Sequence, residues 1–487
     1  MKKVLTILMI FSALHLHGQT EIFLSDPLQV TPDLSYGSSA PRIALLEDGS
    51  PVIYWGKTGS SPKMYIAKWE GNGFVTPTLI STNGIDVDLW GPSLGPQLAT
   101  FDNTVFVVFE SYGEGIYCVR STDGGSNFEN PVIVYELPQG RQATLPSVAI
   151  DNSGNPVVSF VTTNDQEVDA LYEVAVSLDG GLTFEDAVAA NLSASTGEVC
   201  ECCPASMSIT STEDMLLTFR NNDNNIRDIW VTKSTDGGEN FPEATDLDDT
   251  DWQVFACPSN GPHSMIADDS LMVVYFSAGE GNQRVYLSTM HTDSMMKGNQ
   301  LKLPTFSGAE ATQNFPRIAG NQDTLGIIWE EIEASRSIVL SYSVHSTSDL
   351  QNQLVKIAEG PSSNRYPDIV YSNGSFHIVY QDQTLGAVMY RQASFSPLTA
   401  VSMVRSNDFE ISANPNPFQT KTVVSFENSQ RKLITAKLFD VNGKLLNSMQ
   451  TSDAQIEIND SNLTEGVYFL LLELEDKASM IKLIKMD

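Results

Sequence analysis

Three copies of one octapeptide divide this chain. Ser121–Phe128 reads STDGGSNF, Ser177–Phe184 reads SLDGGLTF and Ser234–Phe241 reads STDGGENF, starting 56 and 57 residues apart. A period of that size means successive copies of one supersecondary unit, and it constrains the fold more than any local propensity does. In each copy a Gly pair, ending in Gly125, Gly181 or Gly238, permits positive φ in a tight turn between strands. The hydroxyls of Ser121, Ser177 and Ser234 and the carboxylates of Asp123, Asp179 and Asp236 can engage backbone N–H groups inside that turn. Phe128, Phe184 and Phe241 are expected to start the next strand as buried anchors. The role expected of all three copies is structural.

A second repeat runs through the chain independently of the first. A Pro, a short apolar strand, a polar turn and a β-branched strand recur from Pro41, Pro96, Pro146, Pro204, Pro262, Pro316 and Pro367. Each unit has room for four short strands punctuated by turns, which fits one blade of a propeller. The fold class expected is all-β, a β-propeller over residues 20–400. Seven copies favour seven blades, with six as the alternative. The last unit lacks a fourth strand after Gln392, and residues 22–30 are expected to supply it, closing the ring and removing exposed sheet edges. The pattern stops after Ser394. From 407 to 487 a separate small β-sandwich is expected, with alternating apolar strands joined by Asn-Gly and Glu-Gly turns.

Charge and the first residues bound the setting. With 60 acidic against 28 basic residues the formal charge is −32, which argues against nucleic acid and anionic membranes as partners. Hydrophobic residues make up 41% of the chain, enough for a folded protein, so the acidity belongs to a solvated surface. A basic start at Lys2 and Lys3 followed by an apolar run from Val4 to Leu14 reads as a secretory signal peptide over 1–18. That run is too short for a transmembrane segment, and none is expected later. Export would permit disulfides.

The S-x-D-G-G-x-x-F pattern resembles the Asp box of the BNR, or sialidase-like, β-propeller superfamily. The C-terminal landmarks ANPNPF (413–418), AKLFDVNGKLL (436–446) and LTEGVYFLLLE (463–473) resemble the sorting domain of type IX secretion substrates in Bacteroidetes. The first resemblance implies a propeller with ligands over its central channel. The second implies the type IX secretion machinery as a partner and a secreted or outer-membrane surface destination.

Eight of the ten arginines between residues 20 and 400 fall in loops or strand starts expected on one face: Arg42, Arg141, Arg220, Arg227, Arg284, Arg317, Arg336 and Arg365. Guanidinium groups gathered in so acidic a chain suggest a site for a glycan or other anionic ligand. Arg42, Arg141, Arg220, Arg227, Arg317 and Arg365, with His263, are the candidate ligand-binding residues. Ion pairing with neighbours such as Glu110, Asp228, Glu330 and Glu331 is the competing structural account. A sialidase-type glycoside hydrolase would need a Tyr–Glu pair and an acid/base Asp. Tyr366, Glu330 and Glu331 are weak catalytic candidates, and WGKTGSSPKMY (55–65) holds no carboxylate where the Asp is expected. A structural or adhesive role is the third reading.

Cys200, Cys202 and Cys203 sit in GEVCECCPAS, and Cys257 sits at the equivalent place one unit later. The motif resembles a subgroup of BNR proteins with a C-E-C-C and a C-P-x-N-G-P segment, which implies no particular activity. Disulfides among these four are expected, in a pairing that spacing leaves open. A Cys/His-bound zinc or copper site is the alternative. Cys118 reads as a buried small hydrophobe. The acidic run at 246–251 lacks the spacing of a calcium loop, and His291, His345 and His377 are isolated. No cofactor is required by any motif.

Overall fold

The computed structural model describes residues 22–89, 97–166, 168–194, 198–344, 347–358, 363–395, 411–440, 445–459, 463–474 and 477–486. The expected signal peptide and His345 lie outside them. The chain divides into two compact units, Leu24–Ala393 and a second holding Ser394–Asp487 together with Met1–Phe23.

In the larger unit the described strands form seven antiparallel sheets of the same plan, spanning 39–79, 97–136, 141–189, 206–246, 263–302, 312–358 and 364–394. Successive strands within each sheet are hydrogen-bonded neighbours, the low-cost connection for short turns. The seventh sheet has three strands of its own, and residues near the N-terminus complete it, Leu28 opposite Tyr390 and Gln29 opposite Met389. The first strand of each sheet packs against the first strand of the next, and Asn364–Ser372 packs back against Ser39–Leu45. The seven first strands therefore close a ring, and the protein is a β-propeller. Between sheets lie strings of β-branched and aromatic side chains such as Val52, Val105, Val107 and Phe109, all fully buried.

The first strands carry a repeated irregularity with a chemical cause. Proline lacks the N–H that a ladder needs, so an X-Pro step inside a strand is accommodated by a bulge. Register shifts fall at this step in the first, third, sixth and seventh sheets. The residue before the Pro, Ala40, Leu145, Phe315 or Tyr366, takes φ between 47° and 57°. Two of the N–H groups that the bulge leaves out of the ladder are capped from the preceding sheet. Leu145 donates to Glu110 Oε2 (2.7 Å) and Tyr366 to Glu330 Oε1 (2.8 Å).

The octapeptide turns follow the third strands and lead into the fourth. The Ser hydroxyl oxygens of 121, 177 and 234 accept the N–H of Gly125, Gly181 and Gly238 at 2.9, 2.8 and 3.0 Å. Each Ser donates to Asp Oδ1, and the residue four after the Asp (Asn127, Thr183 or Asn240) gives that Asp both a backbone and a side-chain bond. Gly125, Gly181 and Gly238 have φ of 87°, 83° and 92°, which suits Gly alone. The Phe residues differ from expectation. They precede the fourth strands, and only Phe241 is buried, whereas Phe128 and Phe184 are half-buried.

The C-terminal unit holds a three-stranded sheet (Ile411–Asn414, Thr422–Phe426, Gln455–Ile458) and a four-stranded one (Ile434–Asp440, Leu445–Thr451, Gly466–Leu474, Lys477–Lys485). They share one apolar core that includes Phe418, Val424, Ile456, Leu470 and Leu483. The Asn-Gly turn expected at 441–444 lies outside the described residues. No helix among the described residues is long and apolar enough to cross a membrane.

Candidate functional site

The ring of first strands encloses a cavity of about 560 Å³. Its wall has an order that follows from the Pro repeat. The residues one after the repeat prolines are Arg42, Gln97, Ser147, Ala205, His263, Arg317 and Asp368, and all seven line it. Equivalent positions in a closed ring of equivalent strands come to one level, so seven places scattered from 42 to 368 in the sequence become one circle of side chains.

The charged members are adjacent. Asp368, on the seventh sheet, accepts the Ile43 N–H at 3.0 Å and faces Arg317 Nε at 3.9 Å. Arg42, on the first sheet, donates from Nε to Gln97 Oε1 (3.0 Å) and from Nη1 to the Pro41 carbonyl (2.9 Å). Burial, and then the nearby Arg317 guanidinium, lower the Arg42 pKa to about 9, against the opposing pull of Asp368. Burial also lowers that of Arg317. His263 Nδ1 accepts the Ile318 N–H at 3.2 Å, which leaves Nε2 as the protonated nitrogen. Burial and the two arginines hold its pKa well below the ordinary value, so the ring is neutral. Arg317 thus faces the Asp368 carboxylate, and Arg42 feels its charge while bonding to Gln97 and Pro41. Asp368 is the single acidic residue among the described residues lining the cavity.

The other expected arginines are not part of this circle. Arg220 is fully buried, donates to the carbonyls of Asn260, Arg227 and Phe276, and lies over the rings of Trp252 and Phe276. Arg284 likewise donates to the carbonyls of Gln283, Ala309 and Ala311. Arg227 binds Cys200 Sγ and Glu201, and Arg141 donates to Thr162 Oγ1. Arg336 and Arg365 flank Glu330 at 3.0 and 3.5 Å. A one-sided placement in sequence therefore hides two populations, one holding loops to strands and one facing the channel.

The weak catalytic candidates are held by backbone. Glu330 and Glu331 have no solvent exposure. Glu330 accepts the Tyr366 backbone N–H and two arginines, while Glu331 accepts the N–H groups of Phe306 and Ser307 and the Trp329 indole. Tyr366 is buried with its ring under the Arg365 guanidinium, and burial pushes its hydroxyl up to about 12, away from nucleophilic use. The bonding of Tyr366 to Glu330 runs through the main chain.

A second cavity of about 850 Å³ is lined by residues 137–145, by Asp88, Glu110, Tyr112, Thr163 and Asp165, and by Glu201, Cys202 and Cys257. Burial raises the Glu110 carboxyl to about 8, the Leu145 N–H opposing it and Asp88 adding to it. Cys202 and Cys257 are disulfide-bonded, so the segments entering the fourth and fifth sheets are tied together. Cys200 and Cys203 are free and buried, their Sγ atoms 2.8 Å apart. Cys118 packs in an apolar cluster, where burial raises its thiol to about 12. His377 is hydrogen-bonded to the Tyr390 hydroxyl, and Asp246 and Asp248 accept turn N–H groups of Asp248 and Thr250.

Residues 412–486 match the family of secretion system C-terminal sorting domains. A domain of the type IX kind directs export, so the chain is destined for the cell surface or for release. Comparison with curated proteins gives no match. Among solved structures the chain is similar to a protein of unknown function from Dyadobacter fermentans, at 16% identity over 66% of this chain and 99% of that one, TM-score 0.45. It is also similar to an alpha-L-arabinanase of Penicillium chrysogenum complexed with arabinobiose, at 12% identity over 63% and 93%, TM-score 0.41. A leech intramolecular trans-sialidase is similar at 12% over 77% and 70%, TM-score 0.39. At these identities none lends this chain an activity.

Proposed function

We propose that this protein binds an anionic ligand, an acidic glycan being the class that fits best, in the central channel through Arg42 and Arg317 beside His263. The observation that carries the reading is the charge imbalance of the ring: two neighbouring guanidinium groups with one carboxylate between them, inside a protein of formal charge −32. Burying like charges together is costly, and a bound carboxylate or sulfate offsets that cost with paired, charge-assisted hydrogen bonds. The His263 Nε2–H adds a neutral donor suited to a hydroxyl.

The assignment of residues 1–18 to a signal peptide, 20–400 to a seven-bladed propeller of BNR type, and 407–487 to the sorting module belongs to the same proposal. The octapeptide turns act as staples in it. The ligand would be met at the cell surface or in the medium, with type IX secretion delivering the protein there.

Calorimetric titration of the mature protein with uronic and sialic acids, beside their neutral counterparts, tests the reading. Binding of the acids alone, weakened about tenfold or more in Arg42→Ala and in Arg317→Ala, is the expected result. Equal binding of neutral sugars, or acid binding indifferent to both changes, would overturn it. Turnover of a fluorogenic sialoside, abolished by the same changes, would convert the binding site into a hydrolase site.

A further inference from the structure

We infer that the cysteine cluster on the rim of the second cavity is a thiol–disulfide exchange site, with Cys200 as its internal nucleophile and Cys257 as its outward-facing sulfur. The placement of the four residues carries this. Cys257 is exposed and bonded to half-buried Cys202, and both line the 850 Å³ cavity. Behind that bridge, Cys200 is buried with its Sγ 3.5 Å from Cys202 Sγ and 2.8 Å from Cys203 Sγ. One thiol thus lies in contact with a disulfide sulfur and with a second thiol. Tyr172 fixes the segment by donating its hydroxyl to the Cys203 carbonyl at 2.6 Å.

Charge around Cys200 favours its ionised form. Burial alone would raise its pKa, yet the Cys203 contact, then Arg227 and Arg220, bring it down to about 7. Arg227 Nη1 lies 3.1 Å from the sulfur and 3.3 Å from Glu201, which tempers the guanidinium without neutralising it. Cys203 is shifted the opposite way, first by burial and then by Cys200, so it remains the thiol of the pair. A thiolate, and not a thiol, attacks a disulfide.

The exchange balances without an outside oxidant. Cys200 thiolate attacks Cys202 Sγ, the Cys200–Cys202 bond forms, and the Cys202–Cys257 bond breaks. Cys257 leaves as a thiolate and takes from water the proton that Cys200 gave up on ionising. With Cys200 bonded and no longer a thiolate beside it, Cys203 ionises; its thiolate attacks Cys200 Sγ, the Cys200–Cys203 bond forms, the Cys200–Cys202 bond breaks, and the departing Cys202 thiolate takes up the proton that Cys203 released. The net change moves one disulfide from the Cys202–Cys257 link to the Cys200–Cys203 pair. In the second form Cys257 is a free, exposed thiol, able to join a thiol- or disulfide-bearing molecule entering the cavity. The link between the segments entering the fourth and fifth sheets is then open.

The test is to trap thiols on the folded, mature protein with N-ethylmaleimide and map every cysteine by mass spectrometry. Cys257 should become labelled although it starts in a bridge, with the Cys200–Cys203 disulfide appearing in step. The rate should rise about tenfold between about pH 6 and about pH 8, following the Cys200 thiolate. Cys200→Ser should abolish the labelling and keep the Cys202–Cys257 bridge, while Cys203→Ser should halt the protein at Cys200–Cys202. Circular dichroism and a Cys118→Ser control establish that the variants are folded and that labelling is local. Three results would each overturn the inference: Cys257 unlabelled at every pH, a Cys200→Ser protein labelled as fast as the parent, or two static bridges with no free thiol in the cluster.

Discussion

Arg42 and Arg220 are both buried, at 5% and 0% exposure, and both were candidates for one anion site, yet they occupy opposite situations. Arg220 gives hydrogen bonds to three main-chain carbonyls and lies over two aromatic rings, so its charge is satisfied by the protein itself. Arg42 meets one amide oxygen and one carbonyl, and its strongest charged neighbour is another guanidinium. Burial is the same and the acceptors differ. What separates a structural arginine from a binding one is which groups its donors already hold.

The largest effect should come from breaking the structural side of that contrast. Arg220→Met keeps most of the volume and removes every donor, leaving three carbonyls without their partner. It should lower unfolding free energy by about 3–5 kcal/mol in urea titration and leave ligand affinity in the surviving folded protein unchanged. A loss below about 1 kcal/mol would put the two arginines in one class after all.

Arg42→Ala should do the reverse. Removing one charge-assisted contact should weaken acid binding by about tenfold to hundredfold, from roughly 1.5–3 kcal/mol. Stability should stay within about 1 kcal/mol of the parent, because relief of repulsion from Arg317 offsets the lost Gln97 bond. Calorimetry and urea titration on one preparation read both numbers.

The turns give a smaller effect, set by pH. Side-chain bonds from Thr183 and Asn240, followed by backbone N–H groups, hold Asp179 and Asp236 at about 2. Burial opposes the same effect at Asp123, where bonds from Asn127 and Ser121 still bring it to about 2. Each folded carboxyl therefore ionises below its unfolded value. Its contribution is complete above about pH 4 and disappears as pH falls toward about 2. Ser177→Ala, which removes the acceptor of the Gly181 N–H, should cost about 1 kcal/mol at neutral pH. It should also shift the acid-unfolding midpoint upward.

Glu110 should give a pH dependence of the opposite sign. Its folded pKa, about 8, lies above the unfolded one, so the folded state binds the extra proton between about pH 4.5 and about pH 8 and loses stability as pH rises through that window. Glu110→Gln keeps an acceptor for the Leu145 N–H and should flatten this slope in thermal melts across the window. An unchanged slope would assign the dependence elsewhere.

Much of this was legible in the chain. The octapeptides placed the turns, and the Pro repeat placed the first strands and the need for a strand from residues 22–30. The repeat also contained the site: reading one residue past each Pro picks out Arg42, His263, Arg317 and Asp368 together. Sorting the arginines by loop position mixed these with Arg220 and Arg284, because a main-chain carbonyl from the next sheet leaves no trace in sequence. The cysteine pairing was hidden for a similar reason. Cys202 and Cys257 meet only once two neighbouring sheets are in place, and the C-E-C-C spacing offers each of its three sulfurs equally.

A crystal structure of the mature protein with a uronic or sialic acid tests the central claim most directly. The account predicts the ligand carboxylate bridging Arg42 and Arg317 in the channel, with His263 Nε2 on a ligand hydroxyl. A ligand carboxylate bound elsewhere, with Arg42 and Arg317 keeping their present partners, would contradict it.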